Sequence, residues 1–209
     1  MSDRPLTLSE HSELDIAARV AAVLRKGKIV ALPAEGIYGL HALASSPEAV
    51  DRIRSLKGAP SRRGFIGLLA TPEDLSRWTV PDKAALDLAN RYWPGPLTLV
   101  LTPRTSAPAA LRAEDGTIAL RCPGNEFLRS VVAGAGGIVI SSSANRPGDK
   151  PAIQVEEIPS GWADLTVDGG PLSGVASTLV RVVSGRIEML REGAVRLGDA
   201  ALDDAPEAT

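Results

Sequence analysis

The 209 residues include a single cysteine, two histidines and only seven aromatic side chains. A lone Cys122 excludes a disulfide framework and any thiolate zinc cage, and it fits a reducing compartment; it reads as a small buried hydrophobe. Two histidines cannot build a His-rich metal centre, so no metal-ligating residues are expected. So few rings argue against a strong single-strand nucleic-acid reader, which stacks bases on aromatic faces. No apolar run approaches the length of a bilayer span, and the polar start MSDRPLTLSE is no signal peptide. A cytoplasmic protein without membrane contact is the expectation. Phosphate-binding fingerprints are missing as well. There is no G-x-x-x-x-G-K-[ST], and Gly134-Ala135-Gly136-Gly137 precedes a strand rather than following one. No G-x-S-x-G elbow occurs, and neither His11 nor His41 has a serine or cysteine marked as its partner. A His-based triad is therefore not indicated, and His41 reads as a packed or rim residue.

Turn-forming residues are plentiful by contrast, with twenty glycines and sixteen prolines, which argues for many loops rather than a helical bundle. Charge is nearly balanced, 23 bases against 25 acids. Four of those acids, Asp199, Asp203, Asp204 and Glu207, fall in residues 198–209, which read as a disordered acidic tail. The remaining body is slightly basic and does not resemble a strongly cationic nucleic-acid protein. One stretch stands out: Arg52, Arg54, Lys57, Arg62 and Arg63 lie together with no acid among them. Such a cluster is either a solvated face or one wall of an anion site.

Hydrophobic spacing alternates between helix and strand periods. A capping box at Ser12 and Asp15 opens a helix carrying Ile16, Val20, Val23 and Leu24, with Gly27 as its stop. Residues 28–33 read as a buried strand. Ser46-Pro47-Glu48 opens a second helix that ends near Lys57-Gly58, and residues 65–70 form another strand. Helices are predicted from Thr71, over 82–92 and over 126–132. Further strands are predicted at 97–101, 117–122, 138–140, 164–167, 177–182 and 187–190. The tight turn at Ser184-Gly185 implies an antiparallel pair among them. The pattern predicts a single α/β domain, residues 12–197, with a twisted mixed sheet and flanking helices.

The loops carry the chemistry. GIVISSSANRPG runs from a buried strand into Ser141, Ser142, Ser143 and Asn145, placing hydroxyl and amide donors at the carboxyl edge of a sheet, where open α/β sheets bind ligands. Such donors suit phosphate or carboxylate oxygens, or else satisfy the turn's own backbone. In PAEGIYGLHA, Gly36 and Gly39 permit close backbone approach, and Tyr38 either stacks on a base or packs. Arg121, on an apolar strand, is costly to bury unless it meets an anion. Arg191 follows a similar strand, and Ser177-Thr178 set hydroxyls at a strand start. Cations and hydroxyl loops without a nucleophile–base pair fit an enzyme that works by positioning and charge stabilisation, as in phosphoryl or nucleotidyl transfer.

Taken in order and spacing, PAEGIYGL, SLKGAPSRRGFIGLLA, RYWPGPLTLVL, IALRCP, ISSSANRPG, ASTLV and MLREGA resemble the YrdC/Sua5 family in its short single-domain, threonylcarbamoyl-AMP synthase form. The resemblance covers about residues 12–194 and leaves no room for the extra C-terminal domain of the longer Sua5 form. It implies a twisted mixed sheet around a large electropositive cavity. It also implies a reaction that joins L-threonine, bicarbonate or CO2, and ATP into threonylcarbamoyl-adenylate and pyrophosphate. The product serves the threonylcarbamoyladenosine modification of tRNA; Mg²⁺, tRNA or double-stranded RNA, and tRNA-modification proteins are the implied associates. By the same resemblance Lys57 and Arg63 are catalytic and face the nucleotide phosphates with Ser141, Ser143, Asn145 and Arg191. Arg121, Ser177 and Ala34 belong to the threonine side. Two positions depart from the family pattern: Ala34 stands where Thr is usual, and Ala59 where the K-x-R motif has its Arg. Two other readings stay open, a diverged relative using another carbamoyl or acyl substrate and a catalytically weak RNA-binding module.

Overall fold

A computed structural model of the chain describes residues 5–8, 12–58 and 64–198. The acidic tail beyond Gly198 lies outside the described residues. Ten strands among them, β1 (Leu6–Thr7), β2 (Val30–Ala34), β3 (Ile37–Leu43), β4 (Ile66–Leu68), β5 (Leu97–Leu101), β6 (Ile118–Arg121), β7 (Val139–Ser143), β8 (Leu165–Asp168), β9 (Thr178–Val183) and β10 (Arg186–Arg191), form one sheet. Its order is β1-β8-β2-β3-β7-β4-β6-β5-β9-β10. Four parallel pairs (β1–β8, β2–β8, β4–β6, β5–β9) stand beside five antiparallel ones (β2–β3, β3–β7, β4–β7, β5–β6, β9–β10), so the sheet is mixed as the sequence predicts.

Five helices flank it: α1 (Glu13–Arg25), α2 (Pro47–Leu56), α3 (Leu75–Trp78), α4 (Lys83–Tyr92) and α5 (Glu126–Ala135). Helix α1 buries Ile16, Val20 and Leu24 against Phe127, Leu128, Val131 and Val132 of α5, and both close over Val30, Leu32, Leu43, Leu68 and Val139 on one sheet face. The opposite face packs Ala31, Leu40, Ile140, Leu99, Leu120 and Val180 against Val50 and Ile53 of α2 and Leu88 and Ala89 of α4. This is the alternation that a sheet covered on both faces demands. The helix ends follow local chemistry. Asp82 and Asn125 accept from the backbone N–H three residues on, at 2.9 Å each, and Gly136 ends α5 in the left-handed region. Ser184 and Gly185, both at positive φ, turn β9 into β10.

Some local expectations are corrected. Ser12 makes no side-chain cap, so the α1 capping box is not formed; Thr71 and Asp74 make one instead, at the start of a short 3-10 turn that leads into α3. Tyr38 is fully buried, and its hydroxyl donates to the Gly170 carbonyl at 2.9 Å and accepts from Gly169 N–H at 3.0 Å, so it packs rather than stacks on a ligand. Burial pushes its pKa up to about 12. Cys122 is buried and its thiol is raised to about 11, as suits an inert core residue.

Candidate functional site

Register places the site. Cross-strand partners run in one row from His41 through Ser141, Ile66, Ala119 and Val100 to Arg181. This row lies on the face that α1 and α5 cover at Val139 and Leu68, two residues along β7 and β4. Beyond the helices the face carries mostly small side chains, Gly39, Ser141, Ser143 and Ala119, where a core would hold Leu or Ile. The result is a cavity of about 600 Å³. It is lined by Lys57 and Arg54 from the end of α2, Ser141 and Ser143 from β7, Arg121 from β6, and Ser177, Arg181 and Arg191 from β9, β10 and the segment before β9. Five cations thus face Glu114 and Asp115.

At one end Lys57, immediately after α2, points its ammonium at the β7 loop. Nζ donates to the carbonyls of Ser143 (2.9 Å) and Asn145 (2.6 Å), with Ser143 Oγ at 3.4 Å and Asn145 Oδ1 at 3.3 Å. Partial burial lowers its pKa. Asn145 Nδ2 in turn donates to the carbonyls of Arg146 and Asp149, at 2.9 and 2.7 Å, and so pins the loop. At the other end Arg191 donates through Nε and Nη2 to the Ser177 carbonyl (3.2 and 2.7 Å) and through Nη2 to Ser177 Oγ (3.2 Å). Ser177 Oγ also lies 2.8 Å from Thr98 Oγ1, a buried hydroxyl pair. Between the ends Arg121, only 5% exposed, reaches the β2–β3 turn, where Glu35 Oε2 lies 3.4 Å from its Nη1.

Every described residue expected at the site is therefore at or beside one cavity: Lys57, Ser141, Ser143, Arg121, Ser177, Arg191 and Ala34 line it, and Asn145 stands behind Lys57. Arg63 lies outside the described residues, as does Ala59. The basic cluster divides. Arg52 holds Asp164 at 2.9 Å and the Gly161 carbonyl at 3.0 Å, a structural clamp; Arg54 pairs with Asp51 and lies over Phe65.

Two groups escaped the sequence reading. Glu35, in the PAEG turn, is the anion that meets Arg121; only the demand that a buried arginine find one pointed that way. His41, read as having no serine partner, is fully buried with Nε2 3.2 Å from Ser141 Oγ. Gly39, two residues back on the same face, makes the room, since a Cβ there would sit 2.8 Å from the His41 ring. Burial, with Arg121 nearby, lowers the His41 pKa from 6.5 to about 3. The ring is neutral above that and resists protonation. A depressed histidine contributes stability that is complete above pH 6.5 and is lost as pH falls toward about 3, at a rate of up to about 1.4 kcal/mol per pH unit. His41→Gln removes this component, so urea denaturation from pH 7 to pH 4 gives a shallower fall in stability than the parent chain; parallel falls would contradict the assignment.

The Sua5/YciO/YrdC family model, described as telomere recombination, matches residues 22–193. A threonylcarbamoyl-AMP synthase of Pyrococcus abyssi is 35% identical over 186 residues, covering 86% of this chain and 54% of that protein. One from Sodalis glossinidius is 32% identical over 192 residues, covering 88% and 98% respectively. Among solved structures, that of P. abyssi Sua5 complexed with L-threonine has a TM-score of 0.82 at 31% identity, covering 90% of this chain and 56% of that one. The chain spans about half the length of the Pyrococcus protein and nearly all of the Sodalis one.

Proposed function

The chain belongs to the Sua5/YciO/YrdC family, and on that premise we propose that it is a threonylcarbamoyl-AMP synthase supplying the threonylcarbamoyladenosine modification of tRNA. The substrates are L-threonine, bicarbonate or CO2, and ATP. The threonine amine adds to CO2 and loses a proton to give a carbamate. A carbamate oxygen then attacks the α-phosphorus of ATP, and pyrophosphate leaves. No protein nucleophile is required; the work is positioning and charge stabilisation. Lys57 and Arg191, together with Arg63, face the phosphates, and Ser141, Ser143 and Asn145 orient them. Arg121 takes the amino-acid carboxylate, planar and suited to a guanidinium fork, with Ser177 and Ala34 around the rest of threonine.

One observation carries the reading: Lys57 with Ser143, Arg121, and Arg191 with Ser177 converge on a single cavity large enough for substrates of this size. Among the described residues no cluster of three or more His, Cys, Asp or Glu side chains could hold a metal. Mg²⁺ would come with the triphosphate, and no step here runs through it. The domain is taken as residues 12–197, followed by the acidic tail. Among the described residues no helix is long and apolar enough to cross a membrane. A cytoplasmic setting, with tRNA and the tRNA-modification proteins as partners, suits this role.

Purified protein given ATP, Mg²⁺ and bicarbonate with each amino acid in turn tests the proposal. Pyrophosphate release that requires both threonine and bicarbonate is expected. Dependence on a different amino acid, for which Ala34 in the cavity wall would be the first suspect, or no release at all, contradicts it.

A further inference from the structure

Buried arginine–carboxylate pairs ordinarily close as a fork, with two N–H···O bonds below 3 Å. The Arg121–Glu35 pair does not. Its one ionic contact is 3.4 Å long, although the side chains are only 6% and 15% exposed. Among the described residues, Arg121 Nε and Glu35 Oε2 are both buried without a hydrogen-bond partner. The other carboxylate oxygen, Oε1, accepts from Gly124 N–H at 2.5 Å. A Cβ at position 124 would stand 2.9 Å from Oε1, so a larger residue there would push the carboxylate aside.

These features all act in one direction: they hold the carboxylate near the guanidinium but back from a saturated fork. A fully paired arginine would offer its ligand few free donors, and an arginine with no counter-charge would be too costly to bury. A pair that is neutral in charge yet short of hydrogen bonds avoids both problems. We propose that Glu35, anchored by Gly124 N–H, is a positioning residue that neutralises Arg121 while keeping its donors open to the carboxylate of the amino-acid substrate. This rests on the amino-acid reading of the Arg121 site given above.

Calorimetric titration of the full chain with L-threonine, and separately with L-threoninamide, which lacks the carboxylate, tests it. In the parent protein threonine binds more tightly than the amide. Glu35→Gln leaves the guanidinium without its counter-charge until the substrate carboxylate arrives, and is expected to widen that preference at least tenfold, with amide and ATP affinities within about twofold of the parent. Damage to the fold would instead lower all three affinities together, and that result overturns the proposal. So does an unchanged preference in Glu35→Gln. If the parent binds no threonine, the amino-acid reading of the site falls and the proposal with it. Should Glu35→Gln fail to fold, Glu35→Asp, one methylene short of Gly124 N–H, is read by the same preference and the same outcomes.

Discussion

Lys57→Met lowers ATP affinity roughly ten- to a hundredfold and leaves threonine affinity within about twofold. A charge-assisted contact to a phosphate is worth about 1.5–3 kcal/mol, and Lys57 is placed to make one. It stands at the cavity wall with its ammonium held by the Ser143 and Asn145 carbonyls. Met keeps the length of the stem, so the cavity keeps its shape while the charge and three donors are lost. Part of the effect runs through the loop, because the two carbonyls lose the cation that gathers them. Titration with ATP in the absence of amino acid measures it. Unchanged ATP affinity, or an equal loss toward threonine, would contradict the phosphate assignment.

Arg121→Met has the larger effect on stability. Removing one partner of a buried ion pair leaves the other charge uncompensated, typically at a cost of about 3–5 kcal/mol. Here Glu35 would be left so, with one oxygen held by Gly124 N–H and the other unpartnered. Urea denaturation at neutral pH is expected to show a loss of about that size, and the Glu35→Gln/Arg121→Met pair to recover most of it. Threonine binding is lost in both variants, since the restored stability brings back no guanidinium. If the double variant is as unstable as the single one, the charge on Glu35 is not the source of the cost.

The parts of the molecule that were legible in its sequence are those whose cause is local. Helix α2 begins with Pro47 in its first turn, and α4 and α5 begin where Asp82 and Asn125 supply side-chain caps. Strands β5 and β9 are largely apolar runs bounded by turn residues, which is all their recognition requires; the apolar start of β7 is legible in the same way, but its serines become strand only by pairing with β3. Strand β3 was harder. IYGLHAL contains a glycine and a histidine and follows a two-residue turn at Glu35-Gly36, so it looked like the tail of a ligand loop. Its strand character comes from pairing with β2 and β7, a tertiary condition that no window of sequence contains. The two residues of β1 pair with β8, 161 positions away.

The site divides in the same way. Lys57, Arg121, Ser143 and Arg191 were recognisable through ordered motifs, and the fold gathers them as expected. The partners that tune them were not. Nothing in PAEGIYG announces that Glu35 will meet an arginine 86 positions later, and a histidine on an apolar strand gives no sign of a serine across the ladder. Arg52 shows the converse: it lay in the most suggestive basic stretch, and the fold uses it to tie α2 to Asp164. Proximity in sequence overstated the cluster because helix residues one or two positions apart point to different faces.

A crystal of the protein grown with ATP and L-threonine would test the central claim most directly. Electron density for both molecules is expected inside the cavity between β7 and β9, with phosphate oxygens within hydrogen-bond reach of Lys57 Nζ and the threonine carboxylate on the Arg121 guanidinium. Density for either molecule elsewhere on the protein, with that cavity holding only solvent, would contradict it.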